Sequence, residues 1–332
     1  MLTFRRPKLN VSRTFFASAV AAMSLLVAIP HSAQAESHSP VFTRSEVVSK
    51  SGVAPVRATK KATTRRPSIA RMPSRKRLKV IRSIPKRVSS GFTPAINGFS
   101  FANWATDTVQ PTITVDTLVR LFGASSTCET FEDNVCVPYI KAAELVDQLN
   151  VILAEGRCEG MVALADELFR HPAAIASLAP DSSLASSLTP EATAKEIAYW
   201  WATQIIPSAS KAANTTRKMS PTKIVQTVAR RLKTASGGTL GLYYKGKGHA
   251  VLPIAVKRTR YIAKISVYDS NIPNTVQHIY VNLRNNKWKY RAIANDGTIM
   301  LNWKGRNAGG LDLVAPAARS TQSVNIFSLA NS

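Results

Sequence analysis

Apolar residues recur every three or four positions through the middle of the chain and every second position towards its end, with the change of period near Thr239. The first pattern predicts amphipathic helices, the second half-buried strands. Helical spacing runs through "TVDTLVRLFG" (114–123), closed by Gly123, and "PYIKAAELVDQLNVILAEG" (138–156), closed by Gly156. In "CEGMVALADELFRHP" (158–172), Met161, Leu164, Leu168 and Phe169 share one side, and Pro172 ends the run. Thr189-Pro190 and Ser220-Pro221 each set a capping hydroxyl before a proline at the first helical position, predicting helices over 190–206 and 221–235. Trp200 and Trp201 read as core or groove-wall residues. Beyond Thr239, "TLGLYYKGKGHAVLPIAVKR", "YIAKISVYDSN", "TVQHIYVNL" and "KWKYRAIA" are short, rich in β-branched and aromatic residues, and separated by polar or glycine-containing turns. A helical half followed by an antiparallel sheet is an α+β domain, assigned to residues 91–332.

The ends of the chain read differently. Residues 1–35 combine a basic start (Arg5, Arg6, Lys8, Arg13), an apolar run from Phe15 to Ile29 and the small-residue triplet Ala33-Gln34-Ala35. This is the three-part pattern of a secretory signal peptide, and the apolar run is shorter than the ~20 residues of a membrane span. Residues 36–90 are rich in Ser, Thr, Pro, Arg and Lys, too poor in apolar side chains to offset chain entropy, and are expected to form a disordered linker. Of the net charge of +25, thirteen positive charges lie between Arg57 and Arg87, so the high pI describes the linker first. Such a segment suits anionic cell-envelope polymers or lipid headgroups, with nucleic acid ranked below them for an exported chain. No further span is expected after residue 40, and the mature chain is expected to be secreted or bound to the cell envelope.

Three cysteines occur. Cys128 and Cys136 bracket a short polar segment that suits a disulfide loop in an oxidising compartment, which leaves Cys158 odd. No metal-ligand spacing, phosphate-binding loop or GxSxG elbow is present, so neither a cofactor nor a metal is expected.

Cys158 opens a predicted helix, where the helix N-terminus and a histidine neighbour bring a thiol from a pKa of about 8.5 into the ~3.5–7.5 range of a nucleophile. Three histidines lie in the predicted domain. His171 caps a helix end, and His278 sits mid-strand without an orienting partner, whereas His249 begins an apolar strand directly after "GKG". A hairpin turning through "KRTR" and centred on Thr259 sets His249 opposite Asp269 and on the same face, with Asn271 as the alternative orienter.

With "GRCEGM", "GKGHAVLP" and "VYDSN" in that order, the chain resembles the papain-like cysteine peptidase fold, which includes transglutaminase-like and bacteriocin-processing-like enzymes. More narrowly, it is similar to a poorly characterised group of secreted bacterial proteins with a Cys-Glu-Gly-Met helix start and a Gly-His-Ala-Val strand. The resemblance implies that Cys158 attacks an acyl carbon, His249 moves the proton and Asp269 fixes the ring tautomer. The chain departs from papain in lacking the Cys-Gly-Ser-Cys-Trp context and in using an aspartate as orienter. It also lacks a glutamine a few residues before the cysteine. Gln148, the nearest, and Asn103 are the candidate partners of the Cys158 N–H in an oxyanion hole. Glu159 opposes a thiolate unless it points away or pairs with Arg157.

The reading reached is a secreted cysteine peptidase or amidase that passes through a thioester on a peptide or protein substrate. Its alternatives are a transglutaminase-like acyltransferase and a non-catalytic envelope-binding module of the same fold.

Overall fold

Ser74 opens the first helix by accepting a hydrogen bond from the Arg77 N–H at 3.3 Å. The computed structural model describes residues 74–320 apart from positions 107, 109, 111, 235 and 236. The expected signal peptide (residues 1–35) and the expected linker as far as residue 73 lie outside the described residues.

The expectation of a disordered linker reaching Ser90 is corrected at its C-terminal end. Helix α1 (Arg75–Ser83) and strand β1 (Arg87–Ser89) belong to the folded body. The reason is tertiary. A helix with few apolar residues gains little alone, but Ile81 and Ile84 are buried in the main core beside Ile224, Val225 and Val228.

The predicted helices form with their expected punctuation. α2 (Val115–Phe122) stops at Gly123, whose φ of +85° suits glycine, and α3 (Ile140–Ala154) is followed by α4 (Cys158–Arg170). Thr189 and Ser220 cap α5 (Pro190–Ala202) and α7 (Pro221–Arg231) by accepting from the backbone N–H groups of Ala192 and Lys223. Between them lies α6 (Pro207–Arg217), which the periodicity did not predict. Between α2 and α3, β2 (Cys128–Glu132) and β3 (Val135–Pro138) make a hairpin that turns on Asp133 and Asn134, both with positive φ. The Cys128–Cys136 disulfide ties this hairpin.

The C-terminal half supplies β4 (Thr239–Tyr244), β5 (Lys247–Arg258), β6 (Ile262–Tyr268), β7 (Val276–Asn282), β8 (Lys287–Ile293), β9 (Ile299–Arg306) and β10 (Leu311–Val314). They form an eight-stranded antiparallel sheet in the order β10-β4-β5-β6-β7-β8-β9, with β1 pairing β5. The sheet rolls, so that Trp303 of β9 stands 6.3 Å from the rings of both Tyr244 and His249. Inside the roll, Ile265, Val267, Ile279, Val281, Trp288 and Tyr290 pack with α7. At one end of the outer face, Ala250, Leu252 and Tyr268 pack against Met161, Val162 and Leu164 of α4. The protein is an α+β protein in which a helix beginning at Cys158 lies against the strand that carries His249.

Candidate active site

Gly156 turns the chain from α3 into α4 with a φ of +153°, a backbone that disfavours a side chain. Cys158 thereby becomes the first residue of α4 and is half-buried. Asn103 braces this turn. Its Oδ1 accepts the Arg157 N–H at 2.8 Å, its Nδ2 donates to Asn271 Oδ1 at 3.0 Å, and its own N–H donates to the Ser270 carbonyl at 2.7 Å. One asparagine therefore ties the cysteine's turn to the chain leaving β6.

Gly160 sets the other side. A Cβ there would lie 2.1 Å from the Ile197 carbonyl oxygen and 2.8 Å from Trp201 Cβ. Its absence lets α5 lie against the first turn of α4, and Trp201 becomes a wall of the cleft at Cys158. This cleft encloses about 560 Å³, part of it open to solvent, and its lining includes Cys158, Glu159, Gln204, Tyr243, Gly248 and His249.

His249 reaches Asp269 by a route that the strand pattern did not foresee. The β5–β6 turn occupies positions 259–262, where the Thr259 N–H donates to the Ile262 carbonyl at 2.9 Å, so it is not centred on Thr259. Val256 pairs with Ile265, but beyond a bulge between Pro253 and Ala255 the pairing becomes Pro253 with Val267 and Leu252 with Tyr268. Side chains alternate along a strand, so the unshifted register would turn Asp269 to the face opposite His249. The extra residue, Ile254, returns both to one face. Carried on from Leu252, this register sets His249 across from Asn271, and Asp269 meets it on the diagonal. The directly opposed pairing of the sequence reading is thus corrected by two positions, while the contact itself is made: His249 Nε2 lies 2.9 Å from Asp269 Oδ1.

Asp269 has no solvent exposure. Its Oδ1 also accepts the Asn271 N–H at 2.9 Å, and its Oδ2 accepts the hydroxyl of buried Tyr290. Burial pushes this carboxyl up. The His249 charge and the hydrogen bonds from His249, Tyr290 and Asn271 outweigh burial and hold it below its ordinary value. Burial pushes His249 down, but the Asp269 charge and hydrogen bond, with a further bond to Cys158, hold it well above 6.5. Since Nε2 faces Asp269, Nδ1 is the ring nitrogen left for the Cys158 thiol.

Glu159 does not pair with Arg157. It is bound by buried Arg319, from the turn after β10, and accepts from Thr239 Oγ1 at 3.0 Å, while Arg319 also donates to Thr203 Oγ1 at 2.6 Å. Arg157 instead lies over the Trp104 ring at 4.8 Å and donates to the Trp104 carbonyl at 3.3 Å.

Gln148 is exposed on α3 and does not line the cleft, because the helical repeat turns it away from buried Leu149 and Leu153. The side chain of Asn103 is committed to Arg157 and Asn271 as a brace. Asn271 contacts Asp269 through its backbone N–H rather than orienting His249. The glutamine on the cleft is Gln204, which follows α5 and donates from Nε2 to the Trp201 carbonyl at 3.0 Å. Sequence reasoning missed Gln204, Tyr290 and Arg319. Only Gln204 had a local indication, three residues after the tryptophan read as a groove wall. His171 ends α4 beside Arg170, and His278 lies on β7 against Tyr280.

Among the described residues no group of three His, Cys, Asp or Glu side chains stands ready for a metal ion, and no helix is long and apolar enough to cross a membrane. The sequence matches no protein-family model, and no curated protein or solved structure matches the chain. The class defined by its own fold and geometry is an α+β protein with a cysteine, a histidine and an aspartate joined at one cleft.

Proposed function

We propose that this protein is an exported cysteine hydrolase of papain-like fold that cleaves an amide bond in a peptide or protein. One observation carries the reading. A half-buried thiol and a buried histidine line the same cleft, the histidine bonds a buried carboxylate through Nε2, and its other ring nitrogen is left for the thiol, whose charge and hydrogen bonding help to raise the histidine pKa. The papain-like assignment is supported by a nucleophile that starts a helix and by a base and orienter on neighbouring strands.

In this mechanism His249 Nδ1 takes the Cys158 proton as sulfur bonds to the carbonyl carbon, whose π electrons move to oxygen. Asp269 holds the ring in the required tautomer and balances the imidazolium charge. The oxyanion is met by the Cys158 N–H, a first-turn donor without an intrahelical acceptor, and by the Gln204 amide across the cleft. Collapse breaks the C–N bond, and the leaving amine takes its proton from His249. Water then attacks the thioester, giving a proton to His249 that returns to the Cys158 sulfur as the acid leaves. The Arg319–Glu159 pair offsets the negative charge beside the sulfur.

Export is supported by the N-terminal pattern of residues 1–35 and by the Cys128–Cys136 disulfide. The test is turnover of an unstructured peptide library by the wild type and by Cys158→Ala, with both folds checked by thermal unfolding. Cleavage by the wild type alone is expected, with an acyl adduct trapped on Cys158. Equal turnover by a folded Cys158→Ala protein would end the proposal.

A further inference from the structure

Cross-strand pairing lines up one side chain from each of six neighbouring strands. Arg87 pairs with Lys257, Lys257 with Lys264, Lys264 with Tyr280, Tyr280 with Lys289, and Lys289 with Lys304. Directly paired residues share a face, so five cations and one tyrosine form a continuous row on the outside of the rolled sheet. All are exposed except Lys264, which is half-buried, and none has an ion-pair partner among the described residues. The six strands contain no acidic residue. Beyond Glu196 the chain has only Asp269, Asp296 and Asp312, of which the first and third are buried.

Such a row costs stability. Like charges directly opposite each other on adjacent strands repel, and an ordinary soluble surface intersperses both signs. With strands about 4.8 Å apart, the six positions span roughly 24 Å, and directly paired charges lie within the ~8 Å screening length of physiological salt, with the gap across Tyr280 only slightly wider, so their potentials add. Burial and the Lys264 charge both push His278, in the adjacent row, below its ordinary value.

We propose that this row is a binding track for a flexible, non-aromatic polyanion, a phosphate polymer whose charges repeat along its length. Curvature argues against a bilayer. The sheet returns far enough for Trp303 to approach Tyr244 and His249, so Arg87 and Lys304 sit on a rolled surface that a flat membrane does not touch along its length, whereas a flexible chain follows it. Tyr280 is the sole aromatic side chain in the row, too little for a base-stacking platform. Four of the five cations are lysines, which read charge rather than the geometry of a particular group. Lys257 lies at the far end of β5 from His249, so a polymer held on the track leaves the cleft open.

The test is fluorescence anisotropy with labelled linear polyphosphate on the full chain, across a salt series. It compares the wild type, a row variant (Lys257→Gln, Lys264→Gln, Lys289→Gln and Lys304→Gln) and a tail variant (Lys60→Gln, Lys61→Gln, Arg65→Gln and Arg66→Gln). The row variant is expected to bind at least tenfold more weakly and to lose about 3 from the slope of log K against log salt. Its Tm should be unchanged or higher, since three repelling pairs are relieved, and Cys158 should alkylate at the wild-type rate. Lys264→Gln with Lys289→Gln serves should the quadruple variant fail to fold. Retention of wild-type affinity by the row variant would overturn the proposal. So would tighter binding to a mixed-sequence single-stranded oligonucleotide, or binding confined to anionic phosphatidylglycerol vesicles. Cys158→Ala should bind as the wild type does, which separates this proposal from the catalytic one.

Discussion

Tyr290 donates its hydroxyl to Asp269 Oδ2, the carboxylate oxygen that His249 leaves free, and neither residue is reached by solvent. The tyrosine therefore acts on His249 only through the aspartate, as a positioning residue. Tyr290→Phe removes a donor to the charged form, so the Asp269 pKa rises. The acid limb of Cys158 alkylation, and of turnover, should move to higher pH, with kcat reduced and KM little changed. An unmoved acid limb would show that the hydroxyl only fills space.

The His249–Asp269 pair predicts a stability plateau with two limbs. Asp269 is held below 3.8, so its contribution is complete above the ordinary carboxylate range and is lost as pH falls through the depressed value. His249 is held well above 6.5, so its contribution is complete below that value and is lost as pH rises through the raised one. Both limbs report one interaction. Tm measured from pH 3 to 9 should be flat between about pH 4 and 6.5, and Asp269→Asn should lower the plateau and flatten both limbs.

Gln204 faces Cys158 across the cleft, and its amide carries a second N–H beside the one given to Trp201. As an oxyanion donor it would act in the transition state alone. Gln204→Leu should lower kcat by about 100-fold and leave KM and the iodoacetamide rate of Cys158 near wild type. An equal loss in alkylation would place its effect on the thiol instead.

Gly160→Ala forces a Cβ onto the Ile197 carbonyl, a backbone group that cannot swing away. The helices α4 and α5 must separate, at a cost of about 1–3 kcal/mol. Denaturant unfolding should show that loss, and KM should rise because Trp201 moves with α5. Ala163→Gly, one turn further along and buried, should cost stability without the change in KM.

Element type was largely readable along the chain because its determinants are local. Thr189, Ser220, Gly123 and Gly156 punctuate helices through their own hydrogen bonds and dihedral angles, and alternation marks β6 to β8, where one face is buried, while β5 reads as a continuous apolar run. The same logic misplaced the start of the folded body. Residues 75–83 look like a solvated basic run, and only the pocket offered by α7 makes Ile81 and Ile84 worth ordering. It also passed over β9, where Gly305 and exposed Ile299 and Met300 blur the alternation, and β10, four residues long and buried throughout.

By itself, the sequence determined that Cys158 starts a helix, that His249 lies near the start of a strand and that Asp269 directly follows one, since capping, glycine and periodicity act over a few residues. Tertiary structure decided how they meet. The bulge at Ile254 set which face Asp269 occupies, and no residue beside it in the chain announces that shift. Contacts between Tyr290 and Asp269, and between Arg319 and Glu159, join positions 21 and 160 residues apart. The residues that tune this site are brought to it by strand register and helix packing, which depend on the whole core rather than on local spacing.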